Sequence, residues 1–232
     1  MISQIFLSPQ ALLTSAKLRQ IFASVHPQSC PNVLNFHLHT THSDGQMQPH
    51  DLVKQAIALQ VEHFAITDHH TVDGYFQARE FLAQTSEKIH HSSKIPKLHI
   101  GIEINASLLF TEVHILGYGF DPRHSLIDPY LQGKTTAGID YQAKSVINAI
   151  HLAGGIAVLA HPARYRRSPE ELVPAAAALG IDGIETYYCY TNSMPWKPSN
   201  RQTQQVKQLG DRYELLHTCG TDSHGSSISA RL

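Results

Sequence analysis

The sequence predicts an α/β protein folded as a closed or nearly closed barrel with its chemistry at one rim. Three observations lead there. From Val33 onward, short apolar runs of strand length alternate about seven times with helix-length segments, the pattern of a parallel sheet flanked by helices. Polar clusters fall at or just after the ends of those runs, where barrel folds keep their reactive groups. The chain's 232 residues, 42% apolar, suit one domain with a full core.

Residues 1–32 read as an N-terminal helical extension and residues 33–232 as the main domain. Ser8-Pro9 places proline at a first helical position, and Leu12, Leu13, Ala16, Ile21, Phe22 and Val25 form a rough apolar stripe ended by Pro27 and Pro31. That stripe is expected to pack on the outside of the main domain. Strands are expected at 33–37, 64–67, 98–104, 113–118, 156–160, 183–188 and 215–219. Helices are expected at 49–60, at 72–84 after a Thr71 cap, and at 139–153 with Gly154-Gly155 as the stop. Ser168-Pro169-Glu170-Glu171 is a capping box opening a helix to Leu179, and 199–209 is a further helix ended by Gly210. The polar stretches 85–97 and 121–138 read as loops or lids. The chain stops soon after its last polar cluster, as a barrel without a final helix or a fragment would.

Composition narrows the partners. A formal net charge of −1 supplies no field to draw long nucleic acid or an anionic membrane, so recognition of an anion must be local. Cys30, Cys189 and Cys219 form no C-x-x-C pair, which argues for free thiols in a reducing compartment. The N-terminus lacks a basic region followed by a long apolar core, and no apolar run is long enough to span a bilayer. The expected address is the cytoplasm. Seventeen histidines nearly match the eighteen lysines and arginines, an excess that points to metal.

The clusters carry that suggestion. His37 and His39 form a His-x-His pair at a strand end, where residues i and i+2 face one side, and Asp44 follows in a glycine turn. The next strand ends in Thr67-Asp68-His69-His70, and the third carries Glu103. The fourth contains His114, the fifth ends in His161-Pro162, and the last ends in Asp222-Ser223-His224. Each histidine alone is ordinarily a hydrogen-bonded structural residue. Six clusters in register with six strands are what divalent metals require, and a mixed nitrogen and oxygen donor set suits Zn, Mn or Fe. Asp68 precedes a ligand candidate and is placed to orient an imidazole or to bond a neighbouring loop. Arg164 is a candidate phosphate clamp, and Lys134, in the long loop, is a second candidate for phosphate. Arg166 and Arg167 read as solvated charge.

The motifs HLHTTHSDG, AITDHH, GIE, EVHILGY, AHP and GTDSH resemble, in order and spacing, those of the PHP (polymerase and histidinol phosphatase) domain from about Val33 to His224. The resemblance implies a distorted (β/α)7 barrel with three divalent metal ions and nine ligands: His37, His39, Asp44, His69, Glu103, His114, His161, Asp222 and His224. By analogy His37, His39, Glu103 and Asp222 hold the first ion. Glu103, His114 and His161 hold the second, with Glu103 bridging, and Asp44, His69 and His224 hold the third. It implies a metal-dependent phosphoesterase in which a bridging hydroxide attacks phosphorus. Glu103 and Asp222 are then catalytic through the metals, and His224 or a metal-bound water is the expected proton donor to the leaving group. Nucleotide phosphates or short oligoribonucleotides are the expected substrates, with histidinol phosphate as the alternative. An amidohydrolase-like enzyme or a non-catalytic module of the same fold are readings of other classes. His70 stands where the family usually has Asp or Asn. His114 and His161 lie only 47 positions apart, which leaves no room for a large capping domain.

Overall fold

A computed structural model describes residues 9–86 and 95–232. Ser8 of the expected cap and residues 87–94 of the expected 85–97 loop lie outside the described residues. Seven strands stand side by side in chain order: β1 (Leu34–Asn35), β2 (His63–Ile66), β3 (Lys97–Leu108), β4 (Thr111–Tyr118), β5 (Ile156–Leu159), β6 (Gly183–Tyr187) and β7 (Leu216–Cys219). The two edges meet. Phe36 N–H donates to Cys219 O at 3.0 Å, Asp222 N–H to His37 O at 2.9 Å and His39 N–H to Ser223 O at 3.1 Å. The result is a distorted seven-stranded α/β barrel of the expected kind. The helices are α1 (Pro9–Phe22), α2 (Pro49–Ala58), α3 (Asp73–Ser86), α4 (Ala143–Leu152), α5 (Pro169–Ala178) and α6 (Asn200–Arg212).

The sheet is not wholly parallel. β4 runs antiparallel to both β3 and β5, while the other neighbouring pairs are parallel. The cause is the connection. Only Leu109 and Phe110 join β3 to β4, and a parallel return needs a crossover of a dozen or more residues. β3 also runs four residues past its expected end at Ile104, so the β3–β4 hairpin stands above the rim. His114 lies in the early part of β4, paired with Asn105, and the reversal brings it to the same rim as the other strand ends.

Alternation sorts the core. On β4, Val113 and Ile115 face outward onto Val146, Ile147 and Ile150 of α4. Leu116 and Tyr118 face inward with Phe36, Ala65, Ile156 and Val158. α1 enters that inner cluster and does not lie on the outside as its stripe suggested. Leu18 and Phe22 are buried in it, and the Phe22 ring meets Phe36 and Tyr118 edge-on at 4.9 and 5.4 Å between centroids. The helix closes the barrel end opposite His114, where the inner apolar face would otherwise meet water.

α5 opens with the expected capping box: Ser168 and Glu171 bond each other's backbone. Gly210 does not end its helix. It lies inside α6, where a Cβ would come within 2.6 Å of the His217 ring, so glycine lets α6 lie close to β7. The 121–138 stretch is not a free lid. Ile127 and Tyr130 are buried, and Gly133 N–H donates to His70 O at 2.8 Å. No helix among the described residues is long and apolar enough to cross a membrane. Cys30, Cys189 and Cys219 are free and buried.

Candidate metal centre

Glu103 is the hub. Its carboxylate is buried, with Oε2 3.1 Å from His37 Nε2, 3.1 Å from His39 Nε2 and 3.4 Å from His69 Nε2. Oε1 faces His114 Nδ1 at 2.8 Å and His161 Nε2 at 3.3 Å. Asp222 Oδ1 lies 3.3 Å from both His37 Nε2 and His39 Nε2. On the open side Asp44 Oδ2 lies 3.2 Å from His224 Nε2 and 3.9 Å from His69 Nε2. The nine expected ligands therefore share one site at one barrel end.

The donor atoms fall into groups able to hold an ion. His37, His39, Glu103 and Asp222 form one, and His39, Asp44, His69 and His224 another, each with its ligand atoms within 4.8 Å of one another. Glu103 Oε1 meets both His114 and His161 of the expected second set, and further groups overlap it. His69 and His114 gather with Glu103, while His161 also gathers with His37 and Glu185.

Tautomers test whether these groups fit cations. A neutral imidazole has one N–H. His37 faces carboxylates with both nitrogens, Nδ1 on Glu185 Oε1 at 2.9 Å and Nε2 on Glu103 Oε2 at 3.1 Å, so a neutral ring donates to one and turns a lone pair on the other. His224 Nδ1–H donates to the Asp222 carbonyl at 2.7 Å, and its Nε2 turns a lone pair on Asp44. Lone pairs face carboxylates stably only with a cation or a proton between them. His39 Nε2 is also buried without a hydrogen-bond partner while aimed at Glu103 and Asp222. The residues fit divalent metals.

Where protons alone balance the cluster, the shifts follow. Burial pushes the His39 imidazole down, but the close Asp222 and Glu103 carboxylates outweigh it and hold it at about 9. His37 rises well above its usual range, since Glu185, Glu103 and Asp222 overcome the cost of burial. Glu103 and Asp222 fall well below the carboxylate range despite burial, because imidazoles surround them. Burial takes His69 down to about 4 and also lowers His161.

The local sequence explains the presentation. Gly220 packs on His37, where a Cβ would come within 2.2 Å of the histidine Cβ, so only glycine admits the ring. His161 and Asp222 hold left-handed backbone at φ 26° and 55°, conformations that cost side-chain-bearing residues energy and cluster at functional sites.

The remaining expected residues are placed differently. Asp68 does not orient a ring. Its carboxylate accepts from Thr40 N–H at 2.6 Å, Thr40 O–H at 2.7 Å and Ser43 O–H at 2.8 Å, so it fixes the turn that presents Asp44. The two roles expected of His224 compete. With Nδ1–H committed to Asp222 O, a ligating Nε2 leaves no nitrogen to deliver a proton. Arg164 reaches the rim, where Nη1 donates to Asp222 Oδ2 at 2.8 Å and to Tyr188 O–H at 3.1 Å. Lys134 lines a cleft of about 440 Å³ with Asp44, His69, His70 and His114. His70 turns inward, with Nε2 3.2 Å from Asn105 Oδ1.

Three groups carried no sequence expectation. Glu185 grips His37 and also accepts His161 N–H at 3.0 Å. A carboxylate inside the apolar strand Gly183–Tyr187 was the available signal. Tyr188 O–H and Arg231 Nε donate to Asp222 Oδ2 at 2.6 and 2.9 Å. With Arg164 they occupy that oxygen and leave Oδ1 to the histidines.

Comparison with known proteins agrees with the geometry. The family model described as the PHP domain matches residues 35–165. The chain belongs to the PHP domain family. It is 34% identical to the 5′-3′ exoribonuclease Rnm of Salmonella typhimurium (strain LT2), with 83% of this chain and 85% of that protein covered. Among solved structures, an amidohydrolase from Chromobacterium violaceum superposes with a TM-score of 0.68 at 20% identity, covering 86% of this chain and 90% of that one. A candidate metal-dependent phosphoesterase from Bifidobacterium adolescentis gives 0.65 at 24%, covering 83% and 88%. At those identities the two structures speak for the fold alone.

Proposed function

We propose that this metal-dependent phosphoesterase of the PHP family hydrolyses phosphate esters of nucleotides or short oligoribonucleotides at a centre of three divalent ions, Zn, Mn or Fe. The observation that carries the reading is that His37 and His224 face oxygen acceptors with both ring nitrogens, Glu185 and Glu103 for one, the Asp222 carbonyl and Asp44 for the other, in two separate parts of one rim, so that each neutral ring turns a lone pair on an oxygen. Bound divalent cations supply Lewis acidity and an ionised water at neutral pH. Glu103, with histidines on both oxygens, is placed to bridge two ions and offset their repulsion. Asp44, His69 and His224 account for a third site. An amidohydrolase-like centre of one or two ions would leave those three residues without a role. Arg164 has further guanidinium N–H groups beyond the one on Asp222, and Lys134 lines the cleft, so both are assigned to phosphate.

The exoribonuclease name of the Salmonella relative supports an RNA substrate, and the open cleft suits a chain end. The near-neutral charge favours short substrates. The test is a hydrolysis screen with Mn, Zn and Fe(II), with AMP, adenosine 3′,5′-bisphosphate, histidinol phosphate and short 5′-phosphorylated oligoribonucleotides as substrates. Turnover of the nucleotide compounds, abolished by Glu103→Gln, is expected. Turnover of histidinol phosphate alone would overturn the substrate, and activity that survives Glu103→Gln would overturn the bridging role.

A further inference from the structure

The β3–β4 hairpin ends in two bulky residues held in left-handed backbone, Leu109 at φ 51° and Phe110 at φ 59°. Two-residue turns of this kind favour Asn-Gly or Gly-Gly, because φ is positive at both positions. Leucine and phenylalanine are costly there, and neither gains burial: Leu109 is 41% and Phe110 100% exposed. The frame around the tip is nonetheless fixed. Arg167 Nε donates to Leu109 O at 2.9 Å, Ser107 N–H donates to Tyr141 O, and Tyr141 O–H donates to Glu112. A braced turn thus presents one bare aromatic ring to solvent.

That ring is continuous with the metal centre. Phe110 lies in the turn that opens β4, four residues before His114, about 13 Å along an extended chain. The segment 161–168 runs beside this path. It leaves the centre at His161, places Arg164 on Asp222, exposes Arg166 and reaches the tip with Arg167. Arg164 at the centre and Arg167 at the tip, its Nη1 also paired with Glu171, thus mark the two ends of the route from the metals to the ring. Cations along a backbone path ending in an exposed aromatic are the elements of single-strand recognition, where phosphates follow the charge and a base stacks on the ring. At about 3.4 Å per stacked nucleotide the separation corresponds to roughly four nucleotides.

We propose that Phe110 is a base-stacking contact for an oligoribonucleotide whose terminal phosphate lies at the metal centre, and that it selects oligonucleotides over mononucleotides. The proposal rests on the nucleotide-ester reading above and extends it to substrate length.

The test uses the Mn-loaded full chain and a five-nucleotide 5′-phosphorylated oligoadenylate with phosphorothioate linkages and a 3′ fluorophore, read by fluorescence anisotropy. Phe110→Ser should weaken binding about tenfold, the scale of one lost stack, and Phe110→Trp should restore it. The double change Leu109→Asn with Phe110→Gly supplies the residues this turn prefers, so it folds without the strain and should bind as weakly as Phe110→Ser. Hydrolysis of adenosine 3′,5′-bisphosphate should keep its kcat/KM in all three. Equal oligonucleotide binding by wild type and variants would overturn the proposal, as would no binding by wild type. A dimer in sedimentation that Phe110→Ser dissolves would also overturn it, by giving the ring to a second copy. Failure of wild type to hydrolyse any nucleotide ester would instead sink the parent reading and is scored separately.

Discussion

At His37 one hydrogen bond decides what the ring can do. With Nδ1–H on Glu185 at 2.9 Å, Nε2 is left to accept. Such carboxylate partners fix the ring and raise its basicity, and their loss ordinarily weakens metal affinity 10–100-fold. Glu185→Ala should therefore lower affinity by about that factor in competition with a chromophoric chelator, with Glu185→Gln in between. Unchanged affinity would remove Glu185 from the site. The titrating groups make a second prediction. His39 is raised to about 9, so in the metal-free protein its stabilisation is full below pH 6.5 and lost as pH climbs through about 9. His69 is lowered to about 4, so it costs stability as pH falls from 6.5 towards 4. Thermal unfolding in EDTA should then peak near pH 6.5, and added Mn should remove the alkaline loss by replacing protons. A metal-free curve flat from pH 6.5 to 9 would contradict this. That these nine residues would meet was legible because each stands in a short motif at or near a strand end. Arg231 was not, since nothing local marks a residue that reaches Asp222 through the fold of the last loop.

The elements act through what they close and what they lift. α1 closes the barrel end away from the metals, with Phe22 fully packed against Phe36 and Tyr118. Phe22→Ala should cost about 3–5 kcal/mol, a fall in melting temperature of roughly 6–20 °C for a chain of this size, read by differential scanning calorimetry. A fall under about 2 °C, well short of what a filled aromatic site loses, would place α1 outside the core. The apolar stripe of this helix was visible in sequence, but its partner was not, because a stripe does not say which surface receives it. The antiparallel β3–β4 pair was hidden for a different reason. Strand pattern continues through Ala106 and Leu108, and the turn residues Leu109 and Phe110 carry none of the chemistry that marks a hairpin. The α5 capping box, by contrast, is a purely local device and was readable as it stands.

Over the whole molecule, a seven-stranded barrel gathers residues from His37 to His224 around one carboxylate, Glu103, and among the described residues no helix or loop forms a separate domain over the cleft. The barrel was legible from alternation and from the register of polar clusters with strand ends. The overlapping groups, His69 with Glu103 and His114 and His161 with His37 and Glu185, were not, because only the closed barrel brings those neighbours together. A site of this form should lose activity entirely to a chelator and regain it in steps as ions return. The most direct test is a titration of metal-free protein with Mn, following hydrolysis of adenosine 3′,5′-bisphosphate against equivalents added under stoichiometric binding conditions. A rate that rises until three equivalents per chain and then stays level is the predicted result. A rate complete at one or two equivalents, or present with none, would contradict the account.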